Sequence, residues 1–316
     1  MAIPEGLAGK LRIPAIAAPM FLVSGPDLVV ETCRSGILGS FPALNQRESA
    51  GFDGWLSEIA ERLSAHRGAA PFGVNLIVHK SNGRLEADLA LCVKHKVPLV
   101  ITSLGAVREV VDAVHSYGGL VFHDVISVKH ARKAAEAGVD GIVAVCAGAG
   151  GHAGLLSPFA LIPEIRAFFN GTIILSGAIS TGAQIAAARV MGADLGYLGT
   201  RFINTRESLA DPAYRQMIIE ARAEDIVYTP KVSGVPANFL RASLAAAGID
   251  PEQRGGDEGV KLHGLSDEAK AWKTIWSAGQ GVGSVSDIPG AADLCERLVA
   301  EYQGAMKACA ADPFLR

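Results

Sequence analysis

Residues 147–154, Ala-Gly-Ala-Gly-Gly-His-Ala-Gly, place one ionisable side chain, His152, in a turn with almost no other side chains around it. Glycine reaches positive φ and lets a backbone approach a ligand with no Cβ in the way, and an imidazole gains and loses a proton near neutral pH. Together they suit a general base beside a flat or phosphorylated cofactor. Taken alone, the stretch reads equally as a strand-to-helix turn with an incidental histidine, so the rest of the chain decides. Two more glycine turns offer backbone N–H groups and a hydroxyl to an anion: Ser176-Gly177-Ala178-Ile179-Ser180 and Gly199-Thr200-Arg201. No metal-ligand spacing is found. His79, His115, His123 and His130 stand apart and read as structural or solvated, and the five cysteines lack CxxC spacing and read mostly as small buried hydrophobes.

These residues need a scaffold, and short apolar runs supply one. The runs are 14–18, 36–40, 72–78, 98–103, 120–125, 141–145, 172–176 and 195–199, each largely apolar on consecutive positions, as parallel strands covered on both faces are. Helical stretches such as 128–137 and 181–191 lie between them. Gly138 and Gly192, each two residues ahead of an aspartate, read as helix stops before the next strand. Eight strand–helix units predict an α/β fold of the closed (β/α)8 TIM-barrel type, with an open doubly wound sheet as the competing architecture. In such a barrel the active site lies on the loops at the C-terminal strand ends. Pro19, Met20, Asn75, Thr102, Ser103, His123, Asp124, His152, Gly177, Ala178, Gly199 and Thr200 then face one pocket, and the turns after strands seven and eight are the address for a phosphate.

From 208 to 273 the barrel rhythm stops. Helical stretches at 213–223 and 239–247 and a polar, glycine-containing segment at 250–264 predict a helical insertion, or lid, over the C-terminal mouth, with residues 1–207 and 274–316 forming the barrel. Met20, His152, Trp276, Ser277 and Gln280 are the expected walls of a substrate pocket, and an amphipathic helix at 291–308 closes the chain.

Composition bounds the function. Of 316 residues 49% are apolar and 19% charged, which describes a core-rich enzyme. A net charge of -3 without any basic run gives no footprint for nucleic acid. No apolar stretch reaches membrane-spanning length and the start lacks a signal-peptide pattern, so a cytoplasmic protein is expected.

The quoted segments also carry a resemblance. Ala-Ala-Pro-Met at 17–20, Pro-Phe-Gly-Val-Asn-Leu at 71–76, Ala-Gly-Gly-His-Ala-Gly at 149–154, Leu-Ser-Gly-Ala-Ile at 175–179, Tyr-Leu-Gly-Thr-Arg-Phe at 197–202 and Ser-Ala-Gly-Gln-Gly at 277–281 together resemble the nitronate monooxygenase family, formerly 2-nitropropane dioxygenase. The resemblance implies a TIM barrel holding FMN without a covalent link, acting with O2 on a small-molecule alkyl nitronate to give a carbonyl compound and nitrite. It places Ala18, Pro19 and Met20 along the flavin ring, Asn75 at its polar edge, Gly150 and Gly151 against it, and Gly177, Ala178, Gly199 and Thr200 on the phosphate. His152 takes the place of the family's catalytic histidine. A homodimer is compatible with the sequence.

Two departures bear on function. Many relatives carry Gln-Gly-x-Glu-Ala-Gly-Gly-His, where this chain has Val145 and Gly148 in place of the glutamine and glutamate. Some relatives end the fifth strand in His-Lys, where this chain has His123-Asp124, so an anion at Asp124 opposes a negative flavin edge, bonds a ribityl hydroxyl or turns away. The same scaffold serves FMN-dependent reductases of enoyl thioesters and quinones, which use NAD(P)H, and that is the alternative reading. A barrel that only stores or senses FMN has no need of His152.

Overall fold

The computed structural model describes residues 2–105, 108–232, 234–250 and 273–315. The apolar runs become strands β1 Ala15–Ala17, β2 Leu38–Pro42, β3 Gly73–Ile77, β4 Leu99–Ser103, β5 Leu120–Val125 and β6 Gly141–Val145, then a two-residue β7 Gly151–His152, then β8 Thr172–Ser176 and β9 Leu195–Leu198. All but β7 form one closed parallel barrel, because β1 pairs with β2 on one side and with β9 on the other, Ile16 lying opposite Leu38 and Tyr197. Closure excludes the open doubly wound sheet. β2 starts two residues later than its apolar run, since Gly36 at φ +80° still belongs to the turn that ends the preceding helix.

Alternation along the strands sorts side chains into two cores. Ile16, Leu38, Leu99, Ile101, Phe122, Val143, Ile174 and Leu195 point inward and fill the barrel. Val74, Val100, Val121, Ile142 and Ile173 point outward beneath the helices. Both faces are dry, which is why the runs are continuously apolar. The glycine–aspartate stops work as a pair of devices. Gly138 and Gly192 take left-handed φ of +88° and +108° at the ends of helices Val128–Ala137 and Gly182–Met191. The aspartates that follow reach back to the previous strand: Asp140 accepts from Val121 N at 2.8 Å, and the fully buried Asp194 from Ile173 N at 2.9 Å. Thr181 caps the second helix in a reciprocal capping box with Gln184.

The segment after residue 207 departs from the predicted helical insertion. Pro212–Glu220 and Arg241–Ala246 are helices, but β10 Ile226–Thr229 and β11 Ala237–Leu240 are strands, and β11 pairs antiparallel with both β10 and β7. Phe239 and Leu240, read as the start of a helix, end a strand instead. Phe239, Leu244 and Ala237 recur at a spacing either structure can bury. The predicted polar stretch at 250–264 lies, beyond Asp250, outside the described residues. The final helix runs Ala291–Ala310 and packs on Gly182–Met191. Of the five cysteines four are buried and Cys309 is exposed. Among the described residues no helix is long and apolar enough to cross a membrane.

Candidate active site

Above the Phe122 layer the inward-facing positions turn polar or small, and the barrel opens at its C-terminal end. Asn75 lies in the middle of β3, Ser103 ends β4, and Asp124 and Tyr197 are the penultimate residues of β5 and β9; the last three each follow an inward apolar residue, Ile101, Phe122 or Leu195, by two positions. They floor a cavity of about 1520 Å³. This exceeds the ~300–1,000 Å³ usual for one small ligand, so a cofactor and a second molecule fit together. Ala18, Pro19, Met20, Gly150, Gly151, His152, Gly177, Ala178, Gly199, Thr200, Trp276 and Ser277 all line it. Gln280 does not. It is exposed, its backbone N–H donates to Gly148 O at 2.9 Å, and its side chain braces Gly148 from outside the loop.

The insertion fixes His152. As part of β7, His152 lies opposite Ala237 and Gly151 opposite Asn238. Gly151 N donates to Ser277 Oγ at 2.6 Å, Ser277 Oγ donates to Asn238 O at 2.6 Å, and Asn238 Nδ2 donates to Ala149 O at 2.6 Å. Tyr214 donates to Ser277 O and stacks on Trp276, ring centroids 5.1 Å apart. Tyr228 donates to Ala153 O at 3.1 Å. Ser277 is therefore a hub that positions the histidine loop. Asn238 is the residue the sequence reading missed; within Pro-Ala-Asn-Phe-Leu nothing marked it as more than a surface amide.

The glycines divide into two groups. A Cβ on Gly150 would meet Gly279 N at 2.9 Å and Ala278 C at 3.1 Å, so the 276–281 loop packs where a side chain would stand. Gly151, at φ +71° with open space around it, is required by conformation. That loop also engages Thr200, expected to serve a phosphate, whose Oγ1 accepts from Gly279 N at 2.8 Å, and Ser180, whose Oγ donates to Gly281 O at 2.9 Å. Arg201 turns away and pairs with Asp287 at 2.6 Å. What the two turns leave for an anion is chiefly backbone, shaped by φ of +142° at Gly177 and +54° at Ala178.

Floor electrostatics are dominated by burial. Asn75 Nδ2 donates to Ser103 Oγ at 2.8 Å, and Ser103 Oγ donates to Asp124 Oδ2 at 2.6 Å. Burial pushes the Asp124 carboxyl up to about 6 despite that bond. His123 faces Thr102 Oγ1 across 2.8 Å, and burial lowers its pKa to about 4, so it is neutral and structural, as its isolation in the sequence implied. His115 pairs with Asp140 at 2.8 Å, far from the mouth.

Fold and site together define a closed α/β barrel with a large cavity at the C-terminal strand ends. The nitronate monooxygenase family model matches residues 82–301, and the chain belongs to that family of oxidoreductases. The chain is 29% identical over 279 residues to a nitronate monooxygenase of Paraburkholderia phytofirmans, covering 75% of this chain and 76% of the relative. It is 27% identical over 236 residues to (3aS,4S,5R,7aS)-5-hydroxy-7a-methyl-1-oxo-octahydro-1H-indene-4-carboxyl-CoA dehydrogenase of Mycobacterium tuberculosis; that match takes in 73% of this chain and only 64% of the relative's length. The structure of a nitroalkane oxidase from Streptomyces ansochromogenes superposes with a TM-score of 0.80 at 25% identity, covering 96% of this chain and all of that one.

Proposed function

We propose that the cavity binds FMN non-covalently and that the enzyme oxidises alkyl nitronates with O2 to a carbonyl compound and nitrite. The observation that carries this reading is His152, held on the cavity wall by strand pairing on one side and the Ser277 hub on the other. The residues fit a flavin on their own chemistry. The wall of Ala18, Pro19 and Met20 is apolar and suits a ring face. The floor ends in polar atoms for a ring edge, two of them, Asp124 Oδ1 and Tyr197 OH, buried without a hydrogen-bond partner. Asn75 would meet the ring's polar edge, Gly150 and Gly151 its face, and the backbone of Gly177, Ala178, Gly199 and Thr200 the phosphate. Bound there, FMN supplies the electron acceptor between nitronate and O2.

His152 then removes the α-proton where the neutral nitroalkane is the substrate, and in its protonated form donates a hydrogen bond to the anionic nitronate. The described part of segment 208–273 serves as the cover of the mouth, contributing Leu209, Tyr214, Tyr228 and Val235 to the lining. A second reading has an observation of its own. The cavity is large, and Arg47, Lys133 and Lys273 line it, cations suited to the phosphates of NAD(P)H or of a coenzyme A thioester such as the Mycobacterium relative's name specifies. Anaerobic titration of the FMN-loaded protein separates the two. Bleaching by nitronate and not by NAD(P)H supports the oxidase reading; bleaching by NAD(P)H alone replaces it with a reductase.

A further inference from the structure

The cavity floor holds a carboxyl that the nitronate chemistry above does not use. Asp124 lies on the inner face of β5 directly above Phe122, and it is half-buried at the level of the residue while its Oδ1 has neither solvent contact nor a hydrogen-bond partner. Its other oxygen is committed. Asn75 Nδ2 donates to Ile101 O at 3.2 Å as well as to Ser103 Oγ, which fixes the orientation of the amide. Ser103 Oγ accepts that bond and so turns its own proton to Asp124 Oδ2. The chain runs one way, from Asn75 through Ser103 to Asp124, and leaves Oδ1 as the oxygen that carries the proton when the carboxyl is an acid.

Resting on the FMN reading, we propose that Asp124 is a proton-carrying residue of the cavity floor, keeping a proton on Oδ1 and presenting it to the polar edge of the bound flavin. An anion there would face a buried phenol, Tyr197 of β9, whose own hydroxyl is unpartnered and is held well above the usual tyrosine range by burial and by the charge of Asp124. A neutral acid avoids leaving a negative charge on a buried oxygen that has no hydrogen-bond partner. The other titratable groups around the cavity are His123 on the same strand, which burial keeps neutral, His130 and Lys133 on the helix after β5, His152 across the mouth, and Arg47, Arg84, Asp211, Tyr214, Tyr228 and Lys273 on the remaining walls. Asp124 is raised to about 6 in the open cavity, and a ring laid over the floor excludes more water and raises it further.

The consequence is a coupling between electrons and one proton. Asp124 grips its proton more tightly once negative charge is added beside it. Between the Asp124 pKa of the oxidised FMN-loaded protein, which lies above the value of about 6 in the open cavity, and its higher pKa in the reduced protein, reduction therefore draws one extra proton from solvent onto Oδ1; below that window the proton is present in both redox states.

Two measurements test this, and the first needs no cofactor. The carboxyl carbon of Asp124, titrated by NMR in the ligand-free protein, turns over near pH 6, and in Ser103→Ala it turns over higher, because that substitution removes the bond favouring the anion. An ordinary carboxylate titration, or no upward movement in Ser103→Ala, overturns the proposal. Secondly, the midpoint potential of the FMN-loaded protein falls more steeply with pH than that of Asp124→Asn within a window that opens above about pH 6, and runs parallel to it at lower pH. Parallel lines throughout overturn it. A chain that takes up no FMN fails the cofactor reading and this role with it; a failed carboxyl titration in an FMN-binding chain removes only the role of Asp124.

Discussion

Replacing Ser277 by alanine tests whether the insertion positions the histidine. The Oγ of Ser277 accepts from Gly151 N and donates to Asn238 O, both at 2.6 Å, so the substitution strands one donor and one acceptor. A buried unpaired group costs about 1–3 kcal/mol. Gly151 is half-buried, so water recovers part of its loss, and a total of roughly 2 kcal/mol is expected. The cost falls on the contact between β7 and β11, because the hydrogen bonds of the Ser277 hydroxyl go to Gly151 and Asn238. At 1.4 kcal/mol per factor of ten, local opening of the 147–154 loop rises about 30-fold. Amide exchange at Gly151, His152 and Asn238 accelerates by that factor while exchange in β4 and β5 is unchanged, and turnover falls with loop order. In a double-mutant cycle with Asn238→Ala, which removes the bond to Ala149 O, the two losses are less than additive because both release one loop. Unaltered exchange and turnover in Ser277→Ala would refute the positioning argument.

Three further outcomes follow from the same structure. Gly150→Ala drives a Cβ into the backbone of Gly279 and Ala278, and overpacking of about 1–3 kcal/mol should part the two loops, seen as weakened FMN retention in a filtration assay. Asp194→Ala leaves Arg166 and Ile173 N–H without their buried partner and lowers unfolding free energy in urea by about 3 kcal/mol, with activity per folded molecule kept because the site is at the opposite barrel end. For His123 the folded pKa of about 4 lies below the ordinary 6.5, so the unfolded chain takes up the proton first as pH falls. Stability is therefore full above pH 6.5 and declines by up to about 3 kcal/mol towards pH 4, and His123→Gln flattens that part of the stability–pH curve.

The barrel was legible because burial on both faces writes parallel strands as unbroken apolar runs, and because Gly138-Val139-Asp140 and Gly192-Ala193-Asp194 repeat one turn. The pocket positions were legible for a related reason: a strand end in a barrel has one address, so Asn75, Asp124, His152 and Thr200 converge whatever their roles. Roles were harder to read. Thr200 is expected to offer its hydroxyl to a phosphate and Ser277 to wall a pocket, yet the hydroxyls of Ser277, Thr200 and Ser180 also bond backbone groups as far as 126 residues away, contacts that no local pattern encodes. Gln280 follows the small residues of its loop but sits where the chain has already turned outward, and β11 is only four residues long, too short to separate a period of 2 from one of 3.6. Ser103 mattered more than its neighbour Thr102 because it faces inward, a parity visible only once the register is fixed.

Whether His152 acts as the base in a nitronate-oxidising flavoenzyme is decided by anaerobic stopped-flow comparison of His152→Asn with wild type. With FMN still bound, flavin reduction by the neutral nitroalkane should slow about 10²–10⁴-fold, while reduction by the preformed nitronate, which has no proton left to lose, is far less affected. Equal rates for wild type and variant with the neutral nitroalkane would contradict the assignment of His152.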